Sequence, residues 1–199
     1  MLLNVSSVRM KIGLFGGSFD PVHLGHLLAA RAAREEAGLD RLIFIPAAQS
    51  PFKPEARPAP AADRLRWLRL ALAGDATAEV DDQEIRRGGP SYTIETVRNY
   101  AQNYPAAELF YLIGADQTAQ LRLWRDAAEL ARLVEFLIIP RPGEVLAELT
   151  APFRGRALRG VPLGVSSSEI RARLKAGLPV THLTTPAVAE ALGNNRLYL

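Results

Sequence analysis

The sequence predicts an α/β fold, a doubly wound parallel sheet flanked by helices. Three observations point to it. Short apolar runs alternate with segments of helical periodicity along the chain, the order that builds parallel strands joined by crossover helices. Two of the runs, Leu42-Ile43-Phe44-Ile45 and Phe136-Leu137-Ile138-Ile139, lack polar alternation, as strands covered on both faces do. The first run ends in Gly16-Gly17, and a tight turn and a new helix follow.

In order, strands are expected at Met10–Phe15, Arg41–Ile45, Ala78–Asp81, Leu109–Ile113, Val134–Ile139 and Ala157–Val161. Helices are expected near Leu24–Ala37, Ala61–Ala73, Ser91–Asn103, Ala127–Ala131, Ser167–Ala176 and Pro186–Ala191. Between them lie three loops of interest. Ala47 to Pro60 holds Pro51, Pro54, Pro58 and Pro60 with Phe52 and Lys53. It follows a strand, so it leaves the carboxyl edge of the sheet, where ligands bind in open α/β folds. Arg86 to Tyr92 and Gly114 to Trp124 are the other two. The runs Arg31–Glu36 and Arg64–Arg69 read as ordinary amphipathic helices, and Arg86-Arg87 as a solvated charge pair.

The chain of 199 residues suits one domain. Residues 1 to 9 are expected to form an N-terminal tail, with Met10 a candidate start. Residues 10 to 199 then form a single domain with a small C-terminal helical part. An apolar content of 48% supports a substantial core. No apolar run approaches the roughly 20 residues that span a bilayer, so no membrane association and a cytoplasmic location are expected. The absence of cysteine excludes disulfides and thiolate metal sites. A formal charge of +3 with a pI near 9.5 is a mild basic excess. It fits handling of phosphorylated small molecules. No basic stripe is interleaved with aromatics, so no nucleic-acid partner is expected. Homo-oligomerisation is left open.

The most informative segment runs from Gly16 to His26: Gly-Gly-Ser-Phe-Asp-Pro-Val-His-Leu-Gly-His. His23 and His26 are one helical turn apart, so both project from one face. That face lies at a helix N-terminus, where free N–H groups and the macrodipole favour anions. Gly16 and Gly17 are expected to let the backbone approach a phosphate and take angles other residues avoid. Neither a Walker loop nor a Gly-x-Gly-x-x-Gly fingerprint is present. A histidine metal site is disfavoured, because the only other histidine is the distant His182.

Near the C-terminus, Val165-Ser166-Ser167-Ser168-Glu169-Ile170-Arg171 has capping-box spacing between Ser166 and Glu169. Alone it reads as a capped helix with an exposed arginine. Beside the first motif it reads as a second anion grip of hydroxyls, amides and a guanidinium. Pro90-Ser91-Tyr92-Thr93 is a turn and helix start. Leu112-Ile113-Gly114-Ala115-Asp116 ends a strand at the ligand edge, where Asp116 could accept ribose hydroxyls. Trp124 offers a flat apolar face.

Taken together, these segments resemble the His-x-Gly-His nucleotidylyltransferases. They are most similar to bacterial nicotinate-nucleotide adenylyltransferases, whose pattern is Gly-Gly-(Ser/Thr)-Phe-Asp-Pro-x-His-x-Gly-His. The likeness runs from Lys11 to Leu199. It implies a Rossmann-like fold of nucleotidylyltransferase type and adenylyl transfer from ATP to nicotinate mononucleotide, with Mg²⁺ held mainly by substrate phosphates. Related acceptors are nicotinamide mononucleotide and phosphopantetheine; a non-catalytic nucleotide-binding regulator is the remote alternative. By the same resemblance His23, His26, Lys53 and Arg171 are the expected catalytic groups. ATP would meet Gly16, Gly17, Ser18, Phe19, His23, His26, Gly114, Asp116, Ser166, Ser167 and Arg171. Nicotinate mononucleotide would meet Ser18, Lys53, Thr93, Trp124 and Arg141, the last within an Arg-Pro-Gly run. One departure stands out. The family loop commonly reads Asn-x-x-Pro-Pro-His-Lys, where this chain has Ala47-Ala48-Gln49-Ser50-Pro51-Phe52-Lys53. Phe52 replaces the histidine and is expected either to close over the site or to pack inward.

Overall fold

A computed structural model describes residues 9–52, 55, 57–141, 149–160, 163–195 and 197–198. Its strands are β1 (Lys11–Gly17), β2 (Arg41–Pro46), β3 (Ala78–Val80), β4 (Glu108–Gly114), β5 (Val134–Ile139) and β6 (Gly155–Ala157). They form one sheet in the order β3-β2-β1-β4-β5-β6, with every neighbouring pair parallel. The chain winds outward from β1 in one direction, then returns to β4 on its other side. The crevice at the carboxyl ends of β1 and β4 is therefore the topological switch point, where open sheets of this kind bind ligands.

The helices are α1 (Leu24–Ala37), α2 (Ala61–Ala71), α3 (Gln83–Arg87), α4 (Thr93–Asn103), α5 (Ala127–Leu133), α6 (Ser167–Lys175) and α7 (Pro186–Asn195), with a 3-10 helix at Ala115–Leu123. Alternation along the strands separates two cores. Phe15, Phe44, Leu112 and Leu137 face α1, α2, α6 and α7, whose Ala33, Trp67, Ile170 and Val188 complete that layer. Leu14, Ile43, Tyr111 and Phe136 face α4 and α5 through Val97 and Leu130. Each wholly buried Leu or Phe contributes roughly 1.5–3 kcal/mol. Leu14, with no exposed surface, is a position where truncation to Ala would cost roughly 2–5 kcal/mol. Small residues line the buried stripe of α1 (Ala30, Ala33 and Ala37). Gly38 ends this helix in the left-handed region, at φ 64°.

The structure departs from the sequence reading at several elements. β1 runs on through Gly16 and Gly17, which pair with Ile45 and Pro46. The glycines are thus strand residues. The left-handed residue of the following turn is Phe19, at φ 46°. α4 begins at Thr93, two residues later than expected. α3 lies beyond the strand expected to end at Asp81 and runs into the loop expected from Arg86; its five residues are too few for helical periodicity to register. The Gly114 to Trp124 loop contains the 3-10 helix, whose single buried residue, Leu121, leaves no amphipathic stripe to read. β6 lies earlier than Ala157–Val161. Phe136 pairs with Gly155, and the added Cβ there would meet the Phe136 carbonyl. Val161 falls outside the described residues, as do Lys53, Pro142 and Gly143.

Candidate functional site

A cleft of about 950 Å³ opens at the ends of β1, β4 and β5. It is lined by Gly16, Gly17, Ser18, Phe19, His23, His26, Gly114, Asp116, Arg141, Ser166, Ser167 and Arg171. Segments about 150 residues apart in sequence, the β1–α1 turn and the α6 N-terminus, therefore share one surface. Thr93 and Trp124 lie instead on the other face of the sheet. Lys53 is outside the described residues.

The turn after β1 is held through its carbonyls. Arg64 Nη1 donates to Ser18 O at 2.8 Å, and Arg171 Nη1 to Asp20 O at 2.8 Å. Ser167 Oγ donates to Pro21 O at 2.9 Å and Thr184 Oγ1 to Val22 O at 2.9 Å. Four carbonyls of one short segment are thus occupied by side chains from α2, α6 and the segment before α7. Ser166 caps α6 as its spacing predicts, accepting from the Glu169 N–H at 3.1 Å. The free N–H groups at the start of α6 and the Arg171 guanidinium then border the cleft. Together they form a positive rim suited to anions.

His23 is the N-cap of α1, in extended backbone, and its ring stacks on His26 with centroids 3.7 Å apart. His26 Nδ1 accepts from the His23 backbone N–H at 3.3 Å. Its ring proton therefore belongs on Nε2, leaving that atom as a donor. Burial, then repulsion from Arg141, pushes the His23 imidazole down to about 4. Burial, then His23 and Arg141, holds His26 well below the ordinary histidine value as well. Both rings are neutral at pH 7. His23 Nδ1 is buried with no hydrogen-bond partner among the described residues. Gly25 makes room for this pair: a Cβ there would stand 3.0 Å from His23 Nδ1. Asp116 pairs with Arg141 at 3.3 Å across the cleft, both half-exposed.

The opposite face carries an aromatic recess. The Trp124 ring lies 6.2 Å from Phe52 and stands edge-on to Tyr111 at 6.1 Å. Phe52 is half exposed, so it does not pack inward; its ring is tilted against Trp124. Thr93 Oγ1 donates to the buried Tyr111 hydroxyl at 3.3 Å. That hydroxyl explains Gly16, where any Cβ would collide with it. Behind this recess Glu84 is buried. It accepts from Thr96 Oγ1 at 2.5 Å, and burial raises its carboxyl above the ordinary value. Ser91 does not cap α4; its hydroxyl accepts from the Ala48 N–H at 2.9 Å. This bond ties the β2–α2 loop to the α4 side.

Sequence reasoning missed several of these groups. Asp20 is a hub: its carboxylate accepts from Ala59 N–H at 3.0 Å and from the Tyr198 hydroxyl. Its place inside the glycine–histidine motif was a usable signal. Arg64 belongs to a run that reads as an ordinary amphipathic helix, yet it is only 2% exposed. Glu84 and Tyr111 carried no local pattern at all.

Comparison with known proteins agrees with this geometry. A cytidylyltransferase-like family model matches residues 14–173. A relative from Opitutus terrae, named a probable nicotinate-nucleotide adenylyltransferase, is 44% identical over 95% of this chain and 98% of its own. One of the same name from Chromobacterium violaceum is 41% identical over 96% of this chain and 100% of its own. Among solved structures, Plasmodium falciparum nicotinic acid mononucleotide adenylyltransferase complexed with NaAD superimposes with a TM-score of 0.81, covering 96% of this chain and 98% of that one. At 15% identity that likeness speaks for the fold. The chain belongs to the cytidylyltransferase-like family and, within it, to the nicotinate-nucleotide adenylyltransferases.

Proposed function

We infer that this protein transfers the adenylyl group of ATP to nicotinate mononucleotide, releasing pyrophosphate and forming nicotinate adenine dinucleotide. The observation that carries the reading is the Arg171–Asp20 carbonyl bond. It brings the late serine–arginine segment, the two imidazoles and the end of β1 around one cleft of nucleotide size.

The phosphate of nicotinate mononucleotide attacks the α-phosphorus of ATP in line, and the bond to the β-phosphate oxygen breaks. The attacking oxygen is already anionic at neutral pH, so no general base is needed. The protein's part is to position two anions and to meet the charge that grows on the departing pyrophosphate. Neutral His26 suits this, since its Nε2–H donates without requiring protonation. His23 acts beside it, and Arg171 with the α6 N–H groups supplies fixed positive potential. Gly16, Gly17, Ser18 and Phe19 would border the phosphates, and Asp116 the ribose. Trp124 and Thr93 would receive the nicotinate ring, and Arg141 would meet the acceptor from the cleft side, beside Asp116. Lys53 would add charge near the acceptor phosphate.

Mg²⁺ would be held by phosphate oxygens and water and would neutralise part of the triphosphate charge. Among the described residues no three His, Cys, Asp or Glu side chains cluster as a metal site. Among the described residues no helix is long and apolar enough to cross a membrane.

The test is a direct comparison of acceptors. With ATP and Mg²⁺, nicotinate mononucleotide should yield the dinucleotide and stoichiometric pyrophosphate at far higher kcat/KM than nicotinamide mononucleotide. Equal efficiency with the two would defeat the acid-specific acceptor. No pyrophosphate release with either would defeat the enzyme.

A further inference from the structure

We propose that Arg64 is a positioning residue for adenylyl transfer, its buried guanidinium fixing the peptide units that face the phosphates. The inference rests on the reaction proposed above. Arg64 lies on α2, outside the cleft, and carries its charge into the core with no hydrogen-bonded carboxylate among the described residues. Its partners are all carbonyls: Ala59 O at 3.0 Å from Nε, and Ser18 O and Ala47 O, each at 2.8 Å from Nη1. These belong to the turns that leave β1 and β2 and to the residues just before α2.

Peptide geometry turns those bonds into an effect on the cleft. In a trans peptide the C=O and the next N–H point in opposite directions. Drawing the Ser18 carbonyl inward to Arg64 therefore directs the Phe19 N–H away from Arg64. Ser18 and Phe19 both line the cleft. The next residue needs such restraint, because Phe19 sits at φ 46°, where a non-glycine residue is strained. Its ring is locked against Phe15, His26 and Phe44 at 5.5, 5.0 and 5.7 Å. Arg64 holds the backbone on the other side. The Ala47–Ala48 unit is gripped at both ends, its carbonyl by Arg64 and its N–H by Ser91 Oγ. A guanidinium serves here because its planar fork reaches three acceptors at fixed angles; an ammonium cannot match that spread.

The experiment uses the full chain and its Arg64→Lys and Arg64→Met variants. Initial rates are measured with ATP, Mg²⁺ and nicotinate mononucleotide, and inorganic pyrophosphate binding by calorimetry. Arg64→Met should lose at least about thirtyfold in kcat and Arg64→Lys about fivefold, with KM for the acceptor nearly constant. The amide resonance of Phe19 should shift in both variants, and pyrophosphate should bind them more weakly. A purely structural strut would instead lower Tm while leaving kcat of the folded fraction within about twofold of the parent, and that result overturns the proposal. If Arg64→Met fails to fold, the lysine variant decides by the same criteria. If the parent protein itself shows no turnover, the proposed reaction has failed. Arg64 is then judged by pyrophosphate alone, and equal affinity for parent and lysine variant overturns it.

Discussion

In the proposed function, the two sides of the sheet supply the two halves of the site from opposite materials. On the α1 and α6 face, recognition is built from dipoles and charges: pinned carbonyls, helix N–H groups, two neutral imidazoles and Arg171. On the α4 face it is built from aromatic area: Trp124, Tyr111 and Phe52, with Thr93 as the polar handle. The first half suits a polyanion whose charge shifts during reaction; the second suits a flat ring that only has to be held. The comparison implies different kinetic signatures. Loss of a donor on the first face should fall on kcat, and loss of a ring on the second should fall on acceptor KM. The largest effect belongs to His26→Ala, with kcat down roughly a hundredfold or more. His26 packs against Phe19 and His23, so kcat is read on the folded fraction, with Tm measured alongside. Turnover close to that of the parent would remove His26 from the mechanism.

Trp124→Ala sharpens the contrast from the other side. The indole is half-buried, edge-on to Tyr111 and Phe136 at 6.1 and 6.5 Å. An aromatic contact of this kind is worth about 0.5–1.5 kcal/mol. KM for nicotinate mononucleotide should therefore rise about fivefold to tenfold, with KM for ATP unchanged. If ATP and acceptor constants moved together, the two faces would not be separate subsites.

The two halves were also unequally legible in the sequence. The first face announces itself because its chemistry is contiguous: Gly16 to His26 is one unbroken segment, and Ser166 to Arg171 is another. Spacing alone reveals the shared face of the histidines and the Ser166 cap. The order of strands and helices was legible for the same reason, as strong apolar periodicity. What was not legible depends on contacts across the sheet. Gly16 lines the cleft as a close phosphate approach requires, but it does so as a strand residue kept small by the Tyr111 hydroxyl, which arrives from β4. Arg64 looked like any arginine on an amphipathic helix. Its burial follows from three carbonyls delivered by other segments. Asp20 and Tyr198 meet over most of the chain's length, and no local pattern encodes that. Short elements such as α3 were invisible because five residues are too few to show a period.

The smallest effect separates the halves through acid–base linkage, because their signs oppose. The histidines on the first face have folded-state values below the unfolded one: His23 is held near 4 by burial and by Arg141. As pH falls from 6.5 toward 4, the unfolded chain takes up protons that the folded one refuses, so this half loses stability in acid. Glu84 behaves in reverse. Burial raises its carboxyl, so the folded chain keeps a proton that the unfolded one releases above about 4.5. Its contribution is present in acid and lost as pH rises through the folded value. In the parent protein the two trends oppose one another between pH 7 and pH 5, so Tm should change less than the histidines alone would give. His23→Gln weakens the histidine side of the balance and leaves His26 in place, so the variant should lose less stability toward acid than the parent does. Glu84→Gln removes the other, and its acid sensitivity should exceed the parent's. Thermal melts of the three proteins across this pH range read the sign directly. Parallel curves would mean that neither buried group titrates differently on folding.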